Sequence, residues 1–254
     1  MKVFILCGGF GTRLDHQGRL MAKTMVEVAK KPLLLHIIKN FSDQGFIEFV
    51  LCAGHKIETI INFFKKNKIK ILKKNKRIFS FILYLNKKKI KVDIINTGSN
   101  SGTGGRLKIA SKIIKQKEDF VVTYGDGLSN VSIKKLIKFH YKKKAFLTLT
   151  AVRAKQRYGI IKIKNEKVDY FDNSKKKSDV YINGGFFVVS SFIMKLIKNN
   201  STYIENEPFK KIIKKKKLYT YKHNGFWASL DTLKDKNDLD LLAKKNKKLP
   251  WSFK

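Results

Sequence analysis

Lys2-Val3-Phe4-Ile5-Leu6-Cys7-Gly8-Gly9-Phe10-Gly11-Thr12-Arg13-Leu14 is the stretch that decides the fold. After its lysine, residues 2–7 run apolar without alternation, as a strand covered on both faces must. The glycines that follow let the backbone turn sharply and bring its N–H groups close to an anion. No Gly-Lys-Ser/Thr closes the loop, so it is not a Walker A loop. Leu14 stands where the dinucleotide fingerprint needs a third small residue. Alone, the loop is equally compatible with a plain strand-to-helix turn.

Short apolar runs alternate with amphipathic segments along the rest of the chain, which predicts an α/β fold around a largely parallel sheet. Pro32 opens a segment with Leu34, Ile37, Ile38 and Phe41 at helical spacing, ending before Gly45. Residues 46–52 read as the second strand, and Ile57, Ile60, Ile61 and Phe64 line a second helix. Strands are expected over 78–85, 90–95, 119–124 and 146–152, with helices over 105–114 and 132–141. From about residue 153 the chain is richer in strands, at 159–163, 185–189 and 218–221, with helices near 192–197 and 233–245. No repeat and no glycine- or proline-rich linker divides it. One domain over residues 1–254 is expected, with halves at about 1–152 and 153–254.

The chain has 254 residues, 43% hydrophobic, with three prolines, enough for a core that needs no staples. No apolar stretch approaches the roughly 20 residues of a spanning helix. Residues 1–7 lack the basic region and cleavage site of a signal peptide. A cytoplasmic protein without membrane insertion is expected. Cys7 and Cys52 each close a short apolar run and read as buried free thiols. Without a histidine cluster they make no zinc site. The formal net charge of +37 invites a nucleic-acid reading. The lysines, however, occur in nearly every segment among many Asn and Ile, the pattern of AT-rich coding drift. A lysine-dressed surface with no specific nucleic-acid partner is expected, its positive field favouring anionic substrates.

Arg13 ends the glycine loop and Lys23 lies ten residues on. A guanidinium fork and an ammonium beside such a loop suit a triphosphate whose pyrophosphate must leave. With Met25-Val26-Glu27-Val28, Lys31-Pro32 and His36, this N-terminus resembles the sugar-1-phosphate nucleotidyltransferases, and within them the glucose-1-phosphate cytidylyltransferases most. The resemblance implies a single Rossmann-like (GT-A-like) domain with a nucleotide-binding half and an acceptor-binding half. It implies a nucleotide site at Leu6, Gly8, Gly9, Gly11, Thr12, Arg13 and Lys23, and Arg13, Lys23 and Asp126 as catalytic residues.

The likeness continues through Thr97-Gly98 and Thr103-Gly104-Gly105-Arg106-Leu107-Lys108. Here it places Thr103, Gly104 and Arg106 at the nucleotide, although an ordinary loop and helix cap would read the same. Thr123-Tyr124-Gly125-Asp126-Gly127 ends a strand, where ligands collect in parallel sheets. The resemblance puts Gly125 at the nucleotide and makes Asp126 and Asp231 the ligands of Mg²⁺, an ion that prefers oxygen donors. A helix cap before Thr232 is the alternative for Asp231. Tyr124, Asn183, Gly184, Lys175 and Glu207 are its acceptor-site candidates, with a helix-start role before Pro208 the alternative for Glu207.

Two departures bear on the substrate. The family's Pro-Lys-Pro reads Ala22-Lys23-Thr24 here, and its acceptor-pocket Glu-Lys-Pro aligns with Asn173-Ser174-Lys175. A one-residue slip on a strand turns a side chain to the other face. A CTP-dependent cytidylyltransferase of capsule or surface-glycan biosynthesis is therefore expected, its acceptor a non-glucose phosphate such as the phosphoramidate of L-glutamine, or a sugar 1-phosphate. Glucose-1-phosphate cytidylyltransferase proper is the first alternative. A silent CTP-binding regulator and a basic nucleic-acid module are the rivals of another class. Relatives form dimers through hexamers, so a homo-oligomer lies within the expectation.

Overall fold

The computed structural model describes residues 1–10, 20–67, 70–74, 77–155, 160–164, 166–172 and 177–253. The glycine loop opens from β1 (Val3–Cys7), and the chain goes on through a small ribbon of β2 (Glu27–Val28) and β3 (Lys31–Pro32) into α1 (Leu33–Asp43). Then come β4 (Glu48–Ala53), α2 (Ile57–Lys66), β5 (Lys70–Lys74), β6 (Ile78–Leu85), β7 (Lys88–Asn96) and α3 (Thr103–Ile113). The middle of the chain forms β8 (Phe120–Tyr124), β9 (Gly127–Ser129), α4 (Ile133–Lys142) and β10 (Leu147–Lys155). A hairpin of β11 (Ile160–Lys164) and β12 (Lys167–Asp172) precedes β13 (Lys177–Val189), α5 (Glu207–Lys214), β14 (Leu218–His223), β15 (Trp227–Ser229) and α6 (Leu233–Lys245).

Nine strands make one sheet in the order β14-β10-β13-β8-β1-β4-β7-β6-β5. Only β6 and β13 run against the other seven, so the expected largely parallel sheet is present. Strands from both halves of the chain share it, and β10 itself crosses residues 152–153. β1 is buried over its whole length because it lies between two apolar layers. Val3, Ile5 and Cys7 face one, whereas Phe4 and Leu6 face the other. On the first face α1 buries Leu33, Leu34, Ile37, Ile38 and Phe41, each contributing about 1.5–3 kcal/mol of burial. Cys7 and Cys52 are free and buried in opposite layers, as thiols acting as small hydrophobes should be.

Chain order reverses beside β1. The segment β1-β4-β7 builds outward on one side, and β8 then returns to pair with β1 on the other. Such a reversal leaves a crevice beyond the carboxyl ends of the two strands, the usual ligand position in open α/β sheets. The glycine loop after β1 and Gly125-Asp126 after β8 both stand there.

Some local expectations need correction. Residues 191–195 form a 3₁₀ turn rather than the helix expected near 192–197. β13 extends back to Lys177, well before the expected start at 185, because Gly184-Gly185 bend a strand there rather than begin one. Gly185 has φ +77° and lies against the Tyr124 ring, where a Cβ would come within 2.6 Å. Strand β5, lysine-rich, and strand β12, its apolar residues interrupted by Asp169, lack an apolar run and were not legible beforehand.

Candidate active site

A cleft of about 410 Å³ opens at this crevice, lined among others by Leu6, Gly8, Gly9, Lys23, Thr103, Tyr124, Gly125, Asp126 and Asp231. At its centre the Lys23 ammonium donates to Asp126 Oδ2 and to Asp231 Oδ1, both at 2.8 Å. Three segments widely separated in sequence meet at this point, and each is placed by local structure. Lys23 opens a 3₁₀ turn whose preceding N–H, from Ala22, donates to Thr59 Oγ1 at 3.1 Å. Asp126 follows β8 and precedes β9, which pairs antiparallel with β15 so that Gly127 opposes Ser229. The Leu230 N–H then donates to the Asp126 carbonyl at 2.9 Å. That register carries Asp231 alongside Asp126.

Thr232, not Asp231, caps α6. Its hydroxyl accepts from the Asp235 N–H, and the Asp235 carboxylate accepts from the Thr232 N–H, a reciprocal box. The Asp231 carboxylate is left for the cleft, where Ser229 Oγ also donates to it at 2.8 Å. Burial disfavours the charge on Lys23, but the carboxylates of Asp126 and Asp231 outweigh it and hold the lysine pKa above its ordinary value.

Gly9 faces open space, where its backbone can approach a ligand. Gly8 serves otherwise, because a Cβ there would stand 2.0 Å from the Arg106 guanidinium. Arg106 is 5% exposed and its Nη atoms are taken up by protein acceptors, so they do not present free donors to a nucleotide. Gly104 packs under Thr202 and Ile204, and Gly105 under Asn200, so both serve helix packing rather than facing the cleft. Gly125 lies against the Leu6 carbonyl and Cys7, where a Cβ would be 3.0 Å from the former. Gly11, Thr12, Arg13 and Lys175 lie outside the described residues.

Of the residues expected at the acceptor, Asn183 Nδ2 donates to the Tyr124 hydroxyl at 3.4 Å, and the Gly184 carbonyl accepts from Trp227 Nε1 at 2.7 Å. The sequence singled out Glu207, which starts α5 exposed to solvent and pairs with Lys210 at 3.3 Å. Glu205 stands behind the cleft wall, bonded to two residues that line it. It accepts from the Tyr124 hydroxyl, and from Thr103 Oγ1 at 2.5 Å. Burial, and then the Glu205 charge, push the Tyr124 phenol up, so it stays a donor. Pro208 was the available signal: proline in the first turn makes Glu207 a helical residue and leaves Glu205 in the connector. Thr24, beside Lys23, is also 2% exposed with a hydroxyl that has no partner among the described residues.

A cleft at the sheet's switch point, with a lysine held between two carboxylates, suits an enzyme that acts on a phosphorylated ligand. The chain matches the Nucleotidyl transferase family over residues 2–237 and belongs to it. It is 36% identical over 254 residues to glucose-1-phosphate cytidylyltransferase of Salmonella typhimurium, covering 99% of this chain and 98% of that protein. The Salmonella typhi protein of the same name is equally similar. Among solved structures, HddC from Yersinia pseudotuberculosis complexed with GMP-PN superimposes with a TM-score of 0.70 at 24% identity, covering 96% and 99% of the two chains. Among the described residues no helix is long and apolar enough to cross a membrane.

Proposed function

We propose that this nucleotidyltransferase moves CMP from CTP onto a sugar 1-phosphate and releases pyrophosphate, the whole chain acting as one catalytic unit. The single observation that carries the chemistry is Lys23 bridging Asp126 and Asp231 at the mouth of β1 and β8. Cytidylyl specificity and the sugar 1-phosphate are supported by full-length similarity to the Salmonella enzymes. The expectation of a non-glucose acceptor rested on Asn173-Ser174-Lys175, which lie outside the described residues, so glucose 1-phosphate is the first acceptor to test.

In this mechanism an oxygen of the acceptor phosphate attacks the α-phosphorus of CTP. The bond from that phosphorus to the bridging oxygen breaks, and pyrophosphate leaves on the far side. The acceptor phosphate is already ionised near neutral pH, so no general base is needed and catalysis is positioning plus electrostatics. Lys23 supplies positive charge to the α-phosphate and the departing pyrophosphate. Gly9 gives the triphosphate close backbone approach, and the resemblance assigns Arg13 to the same phosphates. Asp126 and Asp231 fit Mg²⁺, since two oxygen donors already converge on one positive charge. Such an ion would neutralise charge on the phosphates. Tyr124, held by Asn183 and Glu205, forms the side that meets the acceptor.

The test is pyrophosphate release with Mg²⁺, each of the four common nucleoside triphosphates, and glucose 1-phosphate beside other sugar phosphates. Release confined to CTP and one sugar 1-phosphate is expected. No release with CTP and any acceptor, or equal rates with UTP, would overturn the proposal.

A further inference from the structure

Among the described residues, Thr24 has the only buried side-chain polar atom that makes no hydrogen bond. It lines the cleft directly after Lys23 and is 2% exposed, its Oγ1 shielded from solvent. The other buried threonines all have partners. Thr97 Oγ1 donates to the Ala53 carbonyl at 2.6 Å, and Thr123 Oγ1 to the Tyr124 carbonyl at 3.3 Å. Thr150 Oγ1 donates to the Phe186 carbonyl at 3.3 Å, and Thr148 Oγ1 lies 2.9 Å from His140 Nδ1. Folded proteins rarely leave a buried hydroxyl unmet, so an exception in the lining of a cleft points to a partner that arrives with the ligand.

The turn that carries Thr24 is fixed by its neighbours. The Met25 N–H donates to the Ala22 carbonyl at 2.7 Å, and the Val26 N–H to the Lys23 carbonyl at 3.2 Å. The Ala22 N–H is tied to Thr59, and Met25 and Val26 are packed into the core. Unwinding the backbone therefore cannot bring the hydroxyl a partner, whereas a turn about χ1 moves it between staggered positions with the backbone still. The Lys23 ammonium next to it is already taken up by Asp126 and Asp231. A hydroxyl offers a phosphate oxygen a further donor that carries no charge for those carboxylates to capture. Proline, which the family's Pro-Lys-Pro has at this position, could not supply one.

We propose that Thr24 is a phosphate-binding residue: its hydroxyl donates to a phosphate oxygen of the nucleoside triphosphate held beside Lys23. The inference rests on the functional reading above and adds to it a donor that the glycine loop and the lysine do not provide. Because the contact is with phosphate, it strengthens triphosphate binding without choosing the base.

The experiment compares the full chain with Thr24→Val and Thr24→Ser. It reads the calorimetric Kd for the magnesium complex of each common nucleoside triphosphate, KM for glucose 1-phosphate, and Tm without ligand. Valine keeps the shape of the side chain and should raise Kd about 10-fold for the triphosphate that the wild type binds most tightly, with KM for glucose 1-phosphate within about 3-fold. Serine keeps the donor and should recover most of the affinity. Without ligand the valine variant should melt no lower than the wild type, since it gives up a hydroxyl that has no partner. If Thr24→Val does not fold, Thr24→Ala takes its place, with the same expected rise in Kd. Unchanged Kd, a loss confined to glucose 1-phosphate, serine as weak as valine, or a ligand-free valine variant melting more than about 2 °C below the wild type would overturn the proposal. If the wild type releases no pyrophosphate, the transfer reading fails while the ratio of Kd values still decides the role of Thr24. A wild type that binds no triphosphate refutes that role as well.

Discussion

Replacing Lys23 with methionine keeps the length of the side chain and removes the charge that holds Asp126 and Asp231 together. The ammonium lies 2.8 Å from an oxygen of each carboxylate. At an effective dielectric of about 20, one such pair is worth roughly 4 kcal/mol. The side chains are 19, 33 and 26% exposed, so solvent takes away much of that. What remains after the substitution is two carboxylates whose nearest oxygens can be no farther apart than about twice 2.8 Å. Their repulsion plus the lost attraction comes to about 2 kcal/mol, below the range for a fully buried pair. In a protein of this size that lowers Tm by about 4–8 °C. The assay is thermal unfolding in EDTA and then in Mg²⁺. In EDTA the variant should fall by that amount, and Mg²⁺ should restore it more than it raises the wild type, because the wild type already has a cation between the carboxylates. Adding Asp126→Asn should also recover stability in EDTA by removing one of the like charges. Equal Tm values in EDTA would refute the electrostatic reasoning. An equal response to Mg²⁺ would refute the shared position of ammonium and metal. The pairing raises the lysine pKa above 10.5, so its stabilisation is present in full below pH 10.5 and lost as pH climbs through the raised value. The gap between wild type and variant should accordingly close in alkaline solution.

Three other outcomes are expected. Trp251, 1% exposed, packs on His36 and Phe226 and donates from Nε1 to His36 Nδ1 at 3.3 Å. Trp251→Ala should cost about 3–5 kcal/mol by chemical denaturation. His36 Nε2 donates to the Val28 carbonyl at 2.7 Å, and burial holds the ring neutral, its pKa below 6.5. Folding stability should therefore fall as pH drops below 6.5 toward the depressed value, and His36→Gln should flatten part of that slope in a pH series of unfolding curves. Tyr124→Phe deletes the hydroxyl that joins Asn183 to Glu205, and should raise KM for the acceptor about 10-fold with KM for CTP nearly unchanged. A rise confined to CTP would place Tyr124 on the other side of the site.

Much of the site was legible because its chemistry is written in short contiguous motifs. The apolar run into Gly8-Gly9, the isolated Lys23 and the aspartate closing β8 each carry their meaning locally, and strand ends are where a parallel sheet gathers ligands. The element pattern was legible for a related reason: burial on two faces gives β1 a continuous apolar run, and one buried face gives α1 its helical spacing. β5 and β12 offered no such signal, the one being lysine-rich and the other interrupted by Asp169, so that neither has an apolar run.

What only the tertiary structure decided is which side chains meet, and why particular glycines are glycine. Asp231 joins Asp126 through the β9–β15 register, and Thr232 takes over the cap that Asp231 was equally suited to fill. Glu205 rather than Glu207 reaches Tyr124 because the helix begins between them, turning one carboxylate inward and the other to solvent. Gly8 makes room for an arginine 98 residues away, a requirement that no local conformational rule contains. By itself the sequence determined the layers of the fold and the kinds of group that carry the chemistry, since periodicity and residue type act over a few neighbouring positions. Long-range partners depend on strand register and on the volume left between packed elements, and these exist only once the whole chain has folded.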